Sequence, residues 1–247
     1  RKKLKDLESL IKLDNQNNDF AAYEDLNDQK AVFEIRKAGL NILMSMKGDR
    51  KGVAFIEDCA VTLENLADYT ERLRDVFRKY NTEGLFYAHA SVGTLHVRPI
   101  LNAKSEQDIK NMKAIAKEAF TMVKEYKGSH SGEHGDGIVR SEFHEMMFGK
   151  KIVGAFEEIK DTFDPKGLLN PGKIIRAFKS DDRTLMRYKP DYKAENISTH
   201  YDWSAWGQLS DAVEMCNNNG ACRKLDSGVM CPSYRVTMEE KDLVRGR

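Results

Sequence analysis

The chain has 247 residues, of which 40% are hydrophobic and 32% are charged. This composition supports a buried core and excludes a chain that is disordered by composition. Lys and Arg total 40 and Asp and Glu total 39, so the formal net charge is +1. Charge therefore gives no argument for nucleic acid or an anionic membrane as a partner. The sequence contains no run of 18 apolar residues, so no transmembrane helix is predicted.

In chain order the pattern predicts two helices, a strand, a helix, two strands and two further helices. The helices share apolar spacings of three and four and cover residues 1–18, 21–46, 63–80, 105–123 and 143–163. The strands are β-branched or alternating runs at residues 53–61, 84–90 and 94–102. Ser105 is the expected N-cap of the fourth helix. Few strands beside long helices predict an α+β fold.

Composition divides the chain into three parts. Residues 1–178 hold the predicted α+β domain, which the Pro- and Gly-containing stretch 164–173 closes. Residues 179–210 lack periodicity and are interpreted as a linker, and residues 211–247 form a cysteine-containing segment that we expect to be mostly helical or irregular. The chain begins at Arg1 and shows no signal peptide, so we expect a piece of a longer, cytoplasmic protein.

Two histidines lie in the predicted hairpin. If residues 91–94 form a four-residue loop, His89 lies directly opposite His96. Strand alternation then places Tyr87, His89, His96 and Arg98 on one face, with opposed Cβ atoms roughly 5 Å apart. Two imidazoles at this separation could hold one divalent metal, although a strand pair of histidines could also simply bond a polar neighbour.

A second polar segment strengthens the metal interpretation. In the glycine-rich stretch "SGEHGDG", Glu133 offers a carboxylate and His134 an acid–base group. Two histidines and one carboxylate leave an open coordination position, which is typical of a catalytic metal. Glu57 and Asp58, at a strand end, could be simple solvated acids, and we interpret His130 and His144 as ordinary polar residues.

Three motifs, "YAHASVGTLHVRPILN", "GSHSGEHGDGIVRSEF" and "FDPKGLLNPGKI", resemble in order and spacing the C-terminal half of FAD-linked oxidases that act on D-2-hydroxy acids. The resemblance implies a ferredoxin-like antiparallel sheet flanked by helices, preceded in the full-length chain by an FAD-binding domain. It implies His89, His96 and Glu133 as ligands of a divalent metal such as zinc. It also implies His134 as the catalytic base and Arg36 as a ligand of the substrate carboxylate.

The same resemblance implies that Asn170 and Gly135 approach the flavin. Arg98, from its place on the histidine face, and Arg140 are further candidates for binding the substrate carboxylate. The family motif "HxGDGNxH" reads "HASVGTLH" here, so Val92 and Thr94 replace an aspartate and an asparagine. These replacements fall where substrate contacts are expected.

Three cysteines cluster near the end of the sequence. Cys216, Cys222 and Cys231 lie within 16 residues, and Pro232 follows the last of them, as in ferredoxin-like cluster segments. Similarity to bacterial fusions with an iron–sulfur region implies a 4Fe-4S cluster in the full protein. The fourth ligand would come from sequence beyond Arg247 or from a residue other than cysteine. Three reduced cysteines in a tail are the alternative.

The leading hypothesis is an FAD-dependent dehydrogenase that oxidises D-2-hydroxyglutarate or D-lactate and passes electrons to iron–sulfur clusters. Its partners would be a small D-2-hydroxy acid and the FAD-binding domain of the same chain. A homo-oligomer and peripheral attachment to the inner membrane stay open. One alternative is a zinc hydrolase that uses His89, His96, Glu133 and His134. Another is an electron-transfer or scaffold piece in which only the cysteine segment is active.

Overall fold

The computed structural model describes residues 2–13, 21–217, 219–226, 230–243 and 246. The chain divides into two compact units, Arg1–Ile42 and Leu43–Arg247. The first unit holds helix α1 (Lys2–Leu13) and most of helix α2 (Leu26–Met44). Both predicted helices are present, and the predicted break at residues 15–19 lies outside the described residues. Within the described ranges, no helix is long and apolar enough to cross a membrane.

The second unit is built on an antiparallel sheet. Its strands are β1 (Arg50–Gly52), β2 (Cys59–Ala60), β3 (Gly84–His89) and β4 (Thr94–Asn102). Strand β4 pairs with each of the other three. Because β2 and β3 both pair with residues 94 and 95, they lie on opposite edges of β4. The α+β class with an antiparallel sheet is confirmed.

The single strand predicted at residues 53–61 is wrong. Seven residue steps separate Gly52 from Cys59, but only five separate their partners Ile100 and Leu95, so this edge contains a two-residue bulge. The chain stops pairing with β4 after Val53, whose N–H donates to the Pro99 carbonyl at 2.9 Å. It returns at Asp58, where φ is 67°. The bulge directs the Asp58 side chain away from the regular pleat.

Strand β4 separates the core from a polar face. Leu95, Val97 and Leu101 are buried in the hydrophobic cluster, while Thr94, His96 and Arg98 alternate with them. Helices α3 (Leu66–Lys79) and α4 (Glu106–Glu125) pack on the core side. Their buried residues follow the predicted apolar spacing and include Tyr69, Leu73, Phe77, Ile115, Ala119, Phe120 and Val123.

Helix α4 begins as predicted, because the Ser105 hydroxyl accepts a hydrogen bond from the Asp108 N–H at 3.3 Å. The predicted helix over residues 143–163 is interrupted. It consists of α6 (His144–Phe148) and α7 (Lys150–Phe163), with Gly149 at φ 83° between them. A short helix α5 (Gly137–Ser141) precedes them. Gly149, with its left-handed backbone, turns the chain between α6 and α7. The apolar residues therefore keep helical spacing within each part, although the two parts do not form one continuous helix.

The described residues after 178 belong to the second unit and contact its helices. Lys113 pairs with Asp181 at 2.7 Å, and Lys104 pairs with Glu214 at 2.5 Å. Residues 179–210 contain turns, and two short helices follow: α8 (Leu209–Val213) and α9 (Pro232–Thr237). The domain boundaries at residues 178 and 210 stay predictions.

Gly93 gives a direct test of the hairpin. Its φ is 70°, and a Cβ atom there would lie 1.9 Å from the Val61 carbonyl oxygen. Gly48 has φ 81° but open space around it. We expect Gly48→Ala to lower the free energy of unfolding by about 1–2 kcal/mol, from left-handed strain alone. Gly93→Ala should lower it by clearly more, because the Val61 backbone must also move. Urea unfolding of both variants checks this, and equal effects would contradict the described packing.

Candidate functional site

The hairpin between β3 and β4 brings the predicted histidines together, but in a different register. Tyr87 pairs with His96 and His89 pairs with Thr94, so the predicted direct pairing of His89 with His96 is wrong by two residues. A 3-10 turn at Ala90–Val92 and Gly93 close the hairpin. A shift of two residues keeps every side chain on its face. His89 and His96 are therefore diagonal neighbours, with ring centroids 5.0 Å apart.

The loop after α4 runs along β2 and crosses this face. Ala60 and Ser129 exchange two backbone hydrogen bonds, of 2.8 and 2.9 Å, and the Gly132 N–H bonds the Asp58 carbonyl at 2.8 Å. A Cβ atom on Gly132 would lie 2.9 Å from that carbonyl oxygen. The glycine thus permits the close approach that places Glu133 over the hairpin.

The Asp58 carboxylate fixes the next turn of the loop. Its side chain is fully buried, and Oδ2 accepts hydrogen bonds from the backbone N–H groups of Glu133, at 3.0 Å, and of His134. Oδ1 pairs with Arg140 Nη1 at 2.6 Å. The prediction that Asp58 is a solvated acid is wrong, because α5 supplies a cation and the loop supplies two N–H donors. An acid inside the apolar run "VAFIEDCAV" was the available signal.

Glu133 is the common neighbour of three imidazoles. Its Oε1 lies 3.0 Å from His96 Nε2, 3.5 Å from His89 Nε2 and 3.3 Å from His134 Nε2. The ligating atoms of His89, His96 and Glu133 all lie within 4.8 Å of one another. The rings of His96 and His134 stack with centroids 5.1 Å apart. One divalent cation could contact all three predicted ligands.

His96 is suited to be a ligand. Burial lowers its pKa, although the carboxylates of Glu57 and Glu133 act in the opposite direction. A histidine with a lowered pKa is neutral at pH 7, so its Nε2 lone pair is available to a metal. Its Nδ1 is buried, makes no hydrogen bond and lies 3.7 Å from Glu57 Oε1. A carboxylate beside the second ring nitrogen is the arrangement that orients metal-bound histidines.

The predicted arginines have different surroundings. Arg98 shares the histidine face, and its Nη2 contacts both Glu57 oxygens at 2.9 Å. Arg140 pairs with Asp58 and donates to the carbonyls of Glu57 and Gly135. These protein contacts occupy Arg140, so it stabilises the loop. Arg36 lies on α2 in the first unit.

The candidate flavin contacts and the cysteines also lie in the second unit, and Gly135 directly follows His134 in the loop. Gly135 has φ 75° and open space where a Cβ would be, and Asn170 has φ 47° and is exposed. Cys216 is exposed, and Cys231 is buried with its Sγ near the Asp242 carbonyl. Among the described residues, no cysteine belongs to a group of possible metal ligands.

The Asp58 contacts predict a stability effect. Asp58→Asn removes the charge opposite the nearly buried Arg140 while keeping the side-chain shape, and breaking a buried pair costs about 3–5 kcal/mol. Asp75→Asn is the matched control, because Asp75 pairs with Arg78 on an exposed helix face. We expect the control to change the free energy of unfolding by no more than about 0.5 kcal/mol. Urea unfolding measures both, and a neutral Asp58→Asn variant would contradict the described contacts.

Comparison with known proteins identifies the family. Residues 3–174 match the family model described as FAD linked oxidases, C-terminal domain. Similar curated proteins include D-2-hydroxyglutarate dehydrogenase of Haemophilus influenzae, 32% identical over 90% of this chain and 21% of the relative. The Escherichia coli protein of that name is 31% identical over 87% of the chain and 21% of its own length.

The D-lactate dehydrogenase of Archaeoglobus fulgidus is 31% identical over 60% of this chain and 31% of its own length. The chain thus spans about a fifth of the D-2-hydroxyglutarate dehydrogenases just named. The family match covers more than half of the chain, including β1–β4, the loop with Glu133 and His134, and the Asn170 turn. The chain belongs to the family of FAD linked oxidases, as their C-terminal domain.

Proposed function

We propose that this chain is the substrate-binding part of an FAD-dependent dehydrogenase that oxidises a D-2-hydroxy acid to the 2-oxo acid. The observation that carries the proposal is the convergence of His89, His96 and Glu133 within 4.8 Å, with His134 beside them. Family membership and the names of the relatives support D-2-hydroxyglutarate or D-lactate as the substrate. The hydrolase alternative uses the same side chains, but the family match favours oxidation.

His89, His96 and Glu133 would hold a divalent metal such as zinc. When bound, this ion would act as a Lewis acid toward the hydroxyl and carboxylate oxygens of the substrate. The protein's part is to present three ligands from a rigid hairpin and a tethered loop. Three protein ligands leave one position of a four-coordinate zinc ion open, which suits a catalytic rather than a structural site.

His134 would accept the hydroxyl proton at Nε2. Its Nδ1 lies 3.6 Å from the Asp58 carboxylate, which favours a proton on Nδ1 and leaves the Nε2 lone pair free. Nε2 lies on the side of Glu133, where the substrate hydroxyl would bind. General-base catalysis requires this proximity. When bound, FAD would supply the acceptor for the hydride that leaves C2 of the substrate.

Arg98 is the favoured carboxylate-binding residue of the second unit, because it lies on the same face as the two histidines. Its ion pair with Glu57 holds the guanidinium in place and is only partly exposed. Arg36 remains a candidate from the resemblance alone.

The FAD-binding domain of the full-length chain is the proposed partner. Asn170 lies near several exposed apolar side chains, namely Phe163, Leu168 and Leu169. A face of this kind is suited to burial against another domain. Iron–sulfur electron transfer through Cys216, Cys222 and Cys231 is a further proposal that rests on the resemblance of the cysteine segment alone. A cytoplasmic location also stays a prediction.

The metal proposal predicts a stoichiometry. His89→Ala in the full-length protein should lose one equivalent of zinc, because two ligands rarely retain the ion that three hold. His200→Ala is the matched control, since His200 is exposed and lies outside the proposed ligand groups. Equilibrium dialysis followed by elemental analysis measures the difference. Unchanged zinc content in His89→Ala would contradict the ligand set.

The base proposal predicts a rate effect. His134→Gln in the full-length protein should lower kcat for D-2-hydroxyglutarate and D-lactate by about 100-fold or more, which is the usual contribution of a general base. Zinc content should stay at the wild-type level, and His200→Gln should keep wild-type activity. An artificial electron acceptor gives the assay. Activity close to wild type in His134→Gln would remove His134 from the mechanism.

A further inference from the structure

A second group of histidines and a carboxylate lies next to the proposed site but shares no residue with it. His130 and Asp136 come from the loop that contains Glu133, and His144 comes from the first turn of α6. Their ligating atoms all lie within 4.8 Å of one another. His130 is 1% exposed and His144 is 2% exposed. Two histidines buried to this extent require an explanation for their polar atoms.

The hydrogen bond at His144 Nδ1 fixes the proton of that ring. Nδ1 lies 2.8 Å from the Ile174 carbonyl oxygen, which can only accept, so Nδ1 carries the hydrogen. In the neutral ring Nε2 is then a lone pair. It lies 3.0 Å from Asp136 Oδ2, another acceptor. Two acceptors at this distance require a cation, either a proton or a metal ion, between them.

The Ile174 backbone is held firmly enough to fix this arrangement. Its φ is 68°, which is unfavourable for a β-branched residue. Its N–H donates to Ser141 Oγ at 3.1 Å, and its carbonyl accepts from His144. A strained residue of this kind persists when its neighbours over-determine its position.

His130 presents the same situation on the other carboxylate oxygen. Its Nε2 lies 3.0 Å from Asp136 Oδ1, yet neither ring nitrogen makes a hydrogen bond of acceptable geometry. The rings of Phe120 and Phe148 lie 5.3 and 5.6 Å away between centroids.

We propose that His130, Asp136 and His144 form a second divalent-cation site, separate from the one held by His89, His96 and Glu133. Two imidazoles and one carboxylate suit an ion of the zinc class. The ion would tie both ends of the segment 130–136 to α6. Because Glu133 and His134 lie within that segment, the second ion would position the proposed catalytic loop without contacting substrate.

The Asp136 carboxylate offers one oxygen to each imidazole. Oδ1 lies 3.0 Å from His130 Nε2, and Oδ2 lies 3.0 Å from His144 Nε2. The competing arrangement is a shared-proton triad, in which an imidazolium at His144 donates to Asp136 and no metal binds.

Zinc stoichiometry of the full-length protein separates these possibilities. We expect the double variant His89→Ala/His96→Ala to lose one equivalent of zinc relative to wild type. Asp136→Asn, which keeps the shape of the side chain, should also lose one equivalent. The three substitutions together should lose two. His200→Ala should lose none, and circular dichroism confirms that each variant is folded.

Unchanged zinc content in both Asp136→Asn and His130→Phe would overturn the second site and leave the proposed function intact. Loss of zinc from Asp136→Asn, with unchanged zinc in His89→Ala/His96→Ala, would support the second site and overturn the metal site of the proposed function. If Asp136→Asn does not fold, the His89→Ala/His96→Ala protein still decides the matter. That protein should still retain one equivalent of zinc after equilibrium dialysis, because the second site is intact. Retention of no zinc by the folded double variant would overturn the proposal.

Discussion

The site depends on the contacts of the buried Asp58 carboxylate with the loop and with Arg140. The carboxylate lies at the end of the bulge in the β-sheet edge and receives two backbone N–H groups from the loop that contains Glu133 and His134. Its charge is balanced by Arg140 on α5. One oxygen therefore orients the proposed ligand and base, while the other connects the edge to the next helix. Without this carboxylate, two N–H groups and a guanidinium would lose their partner in a low-dielectric environment, where an unpaired group is costly.

The alternation of β4 explains why a chemical site can lie so close to the core. Val97 packs against the helices, while its neighbours His96 and Arg98 point to the opposite face. His96 therefore sits on a strand that the core holds rigid, and the same burial keeps its imidazole neutral. A rigid ligand in the right protonation state loses little entropy when a metal binds. The second histidine group, at His130 and His144, would extend this rigidity to the loop.

The sequence correctly predicted which face of the hairpin each side chain occupies, but it did not predict how β3 and β4 pair residue by residue. Alternation correctly placed Tyr87, His89, His96 and Arg98 on one face, but a shift of two residues keeps the same alternation, so the pattern could not distinguish the two pairings. The strand over residues 53–61 failed because Asp58 adopts φ 67°, which no periodicity reports. Asp58 itself was misread because its partner Arg140 is distant in sequence. His130 and His144 were read as ordinary polar residues for the same reason: their shared carboxylate is visible only in the fold.

The central claim is that His89, His96 and Glu133 bind one divalent metal beside His134. Crystals of the zinc-loaded full-length protein, measured on both sides of the zinc absorption edge, test it most directly. The account predicts an anomalous peak about 2.0–2.2 Å from Nε2 of both histidines and from the Glu133 carboxylate. Zinc bound elsewhere, with no peak between these three side chains, would contradict it.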